Sequence, residues 1–306
     1  TFRFPTCSMS QFYLTALQLS ICLGPMALGI YITMKIFNIP DITTDGSYTL
    51  GAVVTAVLLT SHWSPLAVLP VCMLAGAIAG VCTGLIHTKL RIDALLAGIL
   101  VMTGLYSVNL IILGRSNVPL INIHTLFNRL SFFKTDLYNE LFVALLIIIV
   151  LVFLLRYLLS TDFGIAMRAT GNNPVMTKSM GINNDFIKII GLAIANALTA
   201  LSGFLVSQYQ HFADINMGIG IVITGLGAVL IADALIIWMN VSRIGLQLLL
   251  VLAGSLIFQL VLAFTLAMGI DPNFLKLVTA LFVLLIVALP RMSQQLKGSI
   301  SNNGKI

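Results

Sequence analysis

From Gly46 to Thr88 the chain contains no lysine, arginine, aspartate or glutamate. A water-soluble fold cannot leave a run of that length without ionic groups, because part of it must reach a solvated surface. In hydrocarbon the requirement is inverted: a spanning helix needs about 20 mainly apolar residues. The rest of the chain repeats the pattern. Of the 306 residues 59% are hydrophobic and only 8% charged, against about 25% charged in an ordinary soluble domain. The prediction is an all-α, polytopic membrane protein.

Nine apolar segments are expected, at 11–34, 47–60, 65–87, 93–114, 139–159, 186–207, 217–238, 245–268 and 273–290. Segment 47–60 is short enough to be re-entrant. The uncharged run from Gly46 to Thr88 has room for two spans and a tight turn at Ser61–Pro65, so a hairpin is favoured. Two connections are long, 115–138 and 160–185. The others are short, and residues 1–306 read as a single transmembrane domain. Placing loops 88–92, 156–185 and 239–244 and the tail from Arg291 inside, with Lys35, puts eleven Lys and Arg inside and five outside. That asymmetry predicts a cytoplasmic loop 160–185, an outer loop 115–138 and a cytoplasmic C-terminus. Were 47–60 re-entrant, Arg3 and Lys35 would exchange sides with no change in the count, which leaves the N-terminus open.

The net charge of +6 does not imply a nucleic-acid partner, because the basic residues stand singly between apolar runs instead of forming a patch. Cys7, Cys22, Cys72 and Cys82 form no CxxC pair. His62, His87, His124 and His211 are scattered, and no metal site is expected. The first residues lack a charged n-region and a cleavage site, so no removable signal peptide is expected. No phosphate-binding loop occurs: the one Gly-Lys pair, Gly304-Lys305, has Ser299 where the first glycine should stand. The chain is therefore expected to bind no ATP by that device and to hold no cofactor. Asn240-Val241-Ser242 matches a glycosylation sequon but falls in a short inner loop.

The inner loop carries the most specific signals. Asn173 suits an N-cap and Pro174 the first helical position, where its missing N–H goes unnoticed. Gly181 can take the left-handed conformation that ends a helix. These bounds predict a helix of about two turns with Met176 and Met180 on one face. So short a helix is marginal alone and needs something to dock on; the plain alternative is an amphipathic helix resting on the membrane surface.

The string Gly164-x3-Arg168-Ala169-x-Gly171-x-Asn173-x2-Met176-x4-Gly181-Ile182, followed by Leu198-Thr199-Ala200-Leu201-Ser202-Gly203, resembles the cytoplasmic coupling segment of ABC permeases of the branched-chain amino acid/ribose type. Ile39–Ser47 looks like that family's first cytoplasmic loop. Leu95–Leu100 and Leu105–Leu110 look like its fourth span, and with Arg115–Leu120 these stretches are closest to a tryptophan-type or uncharacterised sub-branch. The likeness covers roughly residues 10–290. One departure is Ala232-Asp233, where relatives are expected to have Gly-Glu. The resemblance implies a type II importer-like permease in a bacterial plasma membrane. Its implied partners are an ABC ATPase subunit that uses ATP, an extracellular or periplasmic substrate-binding protein, and a second copy of the chain enclosing one path through the lipid. It also implies that Gly164, Arg168, Gly171, Asn173, Met176, Met180 and Gly181 couple the permease to the ATPase. The physical logic suits them: a capped helix transmits displacement, methionines adapt to a moving groove, and Arg168 can pair with an acid or carbonyl.

Glycines within the spans form a second set. Gly76, Gly80 and Gly84 recur on one face and predict close helix packing. Gly218, Gly220, Gly225 and Gly227 crowd the seventh segment, where packing and a flexible path lining compete as readings. Gly24-Pro25 predicts a kink, and Asp93 a helix cap. Asp93, Lys188 and Asp233 fall toward the inner ends of spans, so no charge is expected at mid-membrane. Tyr106, Asn109, Thr199, Thr224 and Gly225 are the candidate path residues, neutral groups that leave backbone and hydroxyl dipoles to handle a zwitterion. The resemblance points to an amino acid, with an aromatic one as the narrower reading. A secondary transporter driven by an ion gradient is the alternative. A membrane-embedded enzyme lacks any catalytic constellation.

Overall fold

The computed structural model describes residues 9–121, 123, 125–129, 136–269, 274–275 and 277–286. Helix α1 (Met9–Tyr31) passes into a π-helical turn (Ile32–Ile36), and then come α2 (Thr43–Thr60), α3 (Pro65–Lys89) and α4 (Ala94–Leu113). A short strand β1 (Asn117–Pro119) and a single turn α5 (Leu126–Arg129) precede α6 (Asp136–Ser160), α7 (Asp162–Asn172) and α8 (Pro174–Ser179). The chain continues through α9 (Asn184–Gln210), β2 (Phe212–Asp214), α10 (Ile221–Trp238) and α11 (Ile244–Ala267). A last described helix spans Leu277–Ile286.

Local chemistry sets many of these bounds. The Ser64 hydroxyl accepts from the Ala67 N–H, and Pro65 takes the first position of α3. Asp93 caps α4 through the Leu95 N–H at 2.9 Å, the role expected of it. Asn183 caps α9 through the Phe186 N–H. Pro25 does not end α1; the departure from α-helical bonding comes about two turns later, at Ile32–Ile36. The seventh apolar segment is helical only from Ile221, and residues 215–220 before it form turns ending at Gly220, whose φ is +82°.

Among the described residues seven helices are long and apolar enough to cross a membrane, not the nine expected. They are α1 with its π-turn, α3, α4, α6, α9, α10 and α11. The shortfall has two sources. Segment 273–290 lies partly outside the described residues, with Leu277–Ile286 as its helical part. Segment 47–60 forms α2, four residues longer at its start, but its first half is rich in hydroxyls and carries Asp45, which lowers its apolarity.

Helix α2 nonetheless carries the chain across. Gly171 on α7 packs against the Ile36 carbonyl so closely that a Cβ there would overlap it, and Asn38 donates to the Gly171 carbonyl at 3.4 Å. Lys35 forms an ion pair with Asp233, near the end of α10, at 2.6 Å. The end of α1 therefore lies on the side of loop 160–185. On the other side, β1 pairs antiparallel with β2 in the register Val118↔Ala213, tying the outer loop to the end of α9. Helix α3 runs antiparallel to α9, with Gly76, Gly80 and Gly84 against Asn196, Leu192 and Ile189, so its start lies at the end of the bundle that carries the small sheet, and α2 leads the chain there.

The bundle buries an apolar core and also presents apolar side chains on its surface. Helices α1 and α9 are mostly enclosed, whereas α4 and α6 expose long apolar faces. Small residues permit the closest contacts: added methyl groups on Gly76 and Gly80 would collide with α9 at Asn196 and Leu192. That is the packing use expected of the glycine row.

Candidate functional site

Loop 160–185 is built as a braced tip. Thr161 caps α7 by accepting from the Gly164 N–H, and Gly164 lets the corner close, since a Cβ would run into Leu158 and Leu159 at the end of α6. Met167 and Thr170 are buried, so α7 lies against the bundle. Asn173 then caps α8, its Oδ1 accepting from the Met176 N–H at 3.0 Å, with Pro174 first in the helix. Gly181 has φ +84° and open space around it.

A helix of six residues cannot hold itself in water. Two side chains supply the support. Thr177 Oγ1 donates to Asn184 Oδ1 at 2.8 Å, and Asn184 Nδ2 donates to the Pro174 carbonyl at 2.6 Å. The brace joins both ends of α8 to the first turn of α9. Asn184 was not legible as a site residue; the run Asn183-Asn184-Asp185 marks a helix start, and Asn183 alone is needed as the cap.

The seven residues expected to take part in coupling thus divide. Met176 and Met180 are 58% and 67% exposed and stand beside Val175 at 78%, an apolar tip left uncovered by the described residues. Asn173 and Gly181 shape that tip. Gly164 and Gly171 seat α7 on α6 and α1. Arg168 turns inward, its guanidinium donating to the Gly164 and Leu159 carbonyls at 3.4 Å each. It lines a cavity of about 340 Å³ together with Tyr31, Lys35 and Asp233, at the end of α1.

The candidate path residues are not brought together. Tyr106 is 47% exposed on α4. Asn109 is buried, its Nδ2 donating to the Gly46 carbonyl at 3.3 Å while its Oδ1 has no partner. Thr199 is enclosed and bonds back to Ala195. Thr224 bonds to the Ile221 carbonyl, and Gly225 faces Met26 and Ile30 of α1. On α4 the exposed stretch around Tyr106 also contains Thr103, Gly104 and Ser107.

The interior also holds charge that the sequence reading placed nowhere in it. Asp41 and Asp45 are only 4% and 5% exposed. Asp41 accepts from Asn196 Nδ2, midway along α9, at 2.7 Å and from the Thr43 N–H at 2.9 Å. Asn196 Oδ1 in turn accepts from the Ser47 hydroxyl at 2.7 Å. The Asp45 carboxylate takes the Gly220 and Val222 N–H groups at 2.9 and 2.8 Å, closing the start of α10. Asp41 precedes α2 and Asp45 lies in its first turn, both in what reads from sequence as a cytoplasmic loop. The π-turn returns residues 37–42 into the bundle, and that return is invisible in a hydropathy pattern. The favourable alignment of a carboxylate with a helix N-terminus offsets part of its desolvation.

Residues 12–289 match the family described as the permease component of branched-chain amino acid transport systems. A tyrosine transport system permease protein of Clostridioides difficile (strain R20291) is 39% identical over 91% of each chain. An uncharacterized protein of Rickettsia prowazekii (strain Madrid E) is 34% identical over 92% of this chain and 98% of its own. A probable branched-chain amino acid transport permease of Methanocaldococcus jannaschii is 30% identical over 61% and 62%. No solved structure matches. With a bundle of seven helices able to cross a membrane and a match along nearly its whole length, the chain belongs to this family of ABC transporter permeases.

Proposed function

We propose that the solute carried by this ABC importer permease is an amino acid, with an aromatic amino acid as the narrower assignment. Membership of the family implies that ATP is hydrolysed by a separate ATPase subunit and that a substrate-binding protein delivers the solute. The chain is thus the transport subunit, set in a bacterial inner membrane, and not an enzyme by itself. The tyrosine permease similar along 91% of the chain supports the substrate assignment.

The observation that carries the coupling role is the exposed Val175–Met176–Met180 tip on a helix braced through Asn184. In this reading the tip seats in a groove of the ATPase, and α7, pressed on the end of α1 at Gly171, passes its displacement to the spans. Arg168 and Gly164 support that lever from within.

Two copies enclosing one path is the assembly this reading favours. Hydroxyls on a spanning helix are poorly matched to lipid, and Thr103, Tyr106 and Ser107 sit on the exposed face of α4. A gradient-driven carrier would want an exchangeable acid at mid-membrane. Asp41 and Asp45 are instead held by Asn196 and by the start of α10, an arrangement suited to joints.

The test is uptake by vesicles holding the permease with its ATPase and binding protein. Labelled tyrosine, phenylalanine, tryptophan, leucine, ribose and adenosine are offered in turn. Uptake of an aromatic amino acid that needs ATP and survives ionophores is the expected outcome. Uptake of ribose or adenosine alone would refute the substrate assignment, and uptake driven by an ion gradient without ATP would refute the importer reading.

A further inference from the structure

Between α6 and α11 an apolar groove of about 530 Å³ opens on the outer surface of the bundle. Its walls are aliphatic and aromatic, with Ile149 and Phe153 on one side and Leu249 and Leu252 on the other. Polar character is confined to one end, where Arg156 and Arg243 stand. Both arginines are exposed, and neither is ion-paired to a carboxylate among the described residues.

The geometry at that end favours an anion. The Arg156 side chain lies across Gly245, where a Cβ would come within 3.0 Å of its Cδ and 3.2 Å of its Nε. Gly245 is in the first turn of α11, a helix of 24 residues with no side-chain cap and no acid in its first turn. The N-terminal turn of a long helix thus lines the groove beside two arginines, a combination that suits a phosphate.

The groove's length identifies the rest of the ligand. From Leu145 to Arg156 along α6 is roughly 16 Å at the usual helical rise, about half of a ~30 Å hydrocarbon core. That is one leaflet. Tyr157 and Trp238, 70% and 82% exposed, mark the level of the arginines as the membrane–water interface, where such rings concentrate.

We propose that this groove is a binding site for an anionic phospholipid of the inner leaflet. The headgroup phosphate is held by Arg156, Arg243 and the start of α11, and an acyl chain lies along α6 toward Leu145. The inference goes beyond the transport function and shares with it only the placement of loops 156–185 and 239–244 on the cytoplasmic side. Basic groups at the cytoplasmic ends of spans are the usual recognition element for such lipids. The site joins α6, which leads into the coupling loop, to α11, so its occupancy stiffens the base of that lever.

Native mass spectrometry of the permease with its ATPase subunit, titrated in mild detergent, tests this. The probes are phosphatidylglycerol and phosphatidylcholine with identical acyl chains. Retention of phosphatidylglycerol above phosphatidylcholine by the unaltered complex is expected, and equal retention overturns the proposal without any variant. Arg156→Gln with Arg243→Gln should lower phosphatidylglycerol retention about thirtyfold, the effect of removing two cations near an anionic headgroup. Leu249→Trp, which fills the groove and spares both arginines, should also lower it. Undiminished retention in either variant sinks the site. Displacement of the lipid by an equal concentration of glycerol 1-phosphate would mean an anion site without an acyl groove. Dissociation of a permease dimer by Leu249→Trp would assign the groove to a second copy. Either result overturns the lipid assignment, and neither depends on which solute is transported.

Discussion

The Asn196 amide, midway along α9, donates to the Asp41 carboxylate over 2.7 Å, and its oxygen accepts from Ser47 on α2. One side chain thereby fastens the chain returning from α1 and the first half of α2 to the most enclosed helix of the bundle. Thr43 extends the joint to α3, its hydroxyl lying 2.7 Å from that of Thr83. Interhelical hydrogen bonds between neutral groups in membranes average about 0.6 kcal/mol. A bond to a buried carboxylate carries more, because the acid has no water to fall back on.

Asn196→Leu should therefore destabilise the permease by about 2 kcal/mol, the cost of removing a donor from a charged buried group. Asp41→Asn should be milder, because it removes the charge along with the need for compensation. Thermal unfolding in one detergent, read for both variants, checks the order. A stability loss for Asp41→Asn larger than that for Asn196→Leu would contradict the joint.

Asp45 closes the start of α10 through Gly220 and Val222. Asp45→Ala should cost about 1 kcal/mol, the usual value of a lost N-cap. The specific signature is local: amide exchange at Gly220–Thr224 should accelerate while α9 stays protected. Uniform acceleration across the bundle would mean that Asp45 acts on overall stability and not on α10.

Met176→Asp should leave a stable permease that captures little ATPase, because the exposed tip loses its apolar face. Gly181→Val forces a branched side chain into a φ of +84° and should cost of order 1 kcal/mol or more, with transport loosened from ATP hydrolysis. Gly171→Ala, by contrast, should impair folding, since its methyl would overlap the Ile36 carbonyl. Co-purification of the ATPase with each variant is the measurement. Full capture by both Met176→Asp and Gly181→Val would end the docking assignment.

Single cysteines at Asn117, beside the small outer sheet, and Asn172, at the end of α7, should react with an impermeant thiol reagent only from opposite sides. Both positions are exposed, so silence at either from its own side cannot be ascribed to burial. Labelling of both from outside would invert the orientation drawn from the basic residues.

If two copies meet across α4, Ser107→Cys in a cysteine-free background should form a disulfide-linked dimer under mild oxidation. Ile149→Cys, on the exposed face of α6, should not. Cross-linking at Ile149 with none at Ser107 would move the interface away from the hydroxyl face.

The bounds of α8 were legible residue by residue, because capping is local chemistry. Asn173, Pro174 and Gly181 act on atoms within a few positions of themselves, and each has the role its type predicts. The candidate path residues carry no such local signature. Tyr106, Asn109, Thr199, Thr224 and Gly225 share neutrality and a place in spans, and neither property says which way a side chain faces. Thr199 is in the core, Asn109 at a helix contact and Tyr106 on the surface.

What the sequence determined by itself follows from the solvent: the absence of charge from Gly46 to Thr88 admits only lipid, and in lipid the backbone must bond within helices. The basic residues then predicted the sidedness. Tertiary structure alone decided that Lys35 pairs with Asp233 and that Asp41 and Asp45 lie inside. The reason is that hydropathy weighs each residue by itself. The cost of a buried carboxylate depends on donors far away in the chain, on Asn196 and on the backbone of Gly220 and Val222, and those come within reach only when α9 and α10 pack against α2.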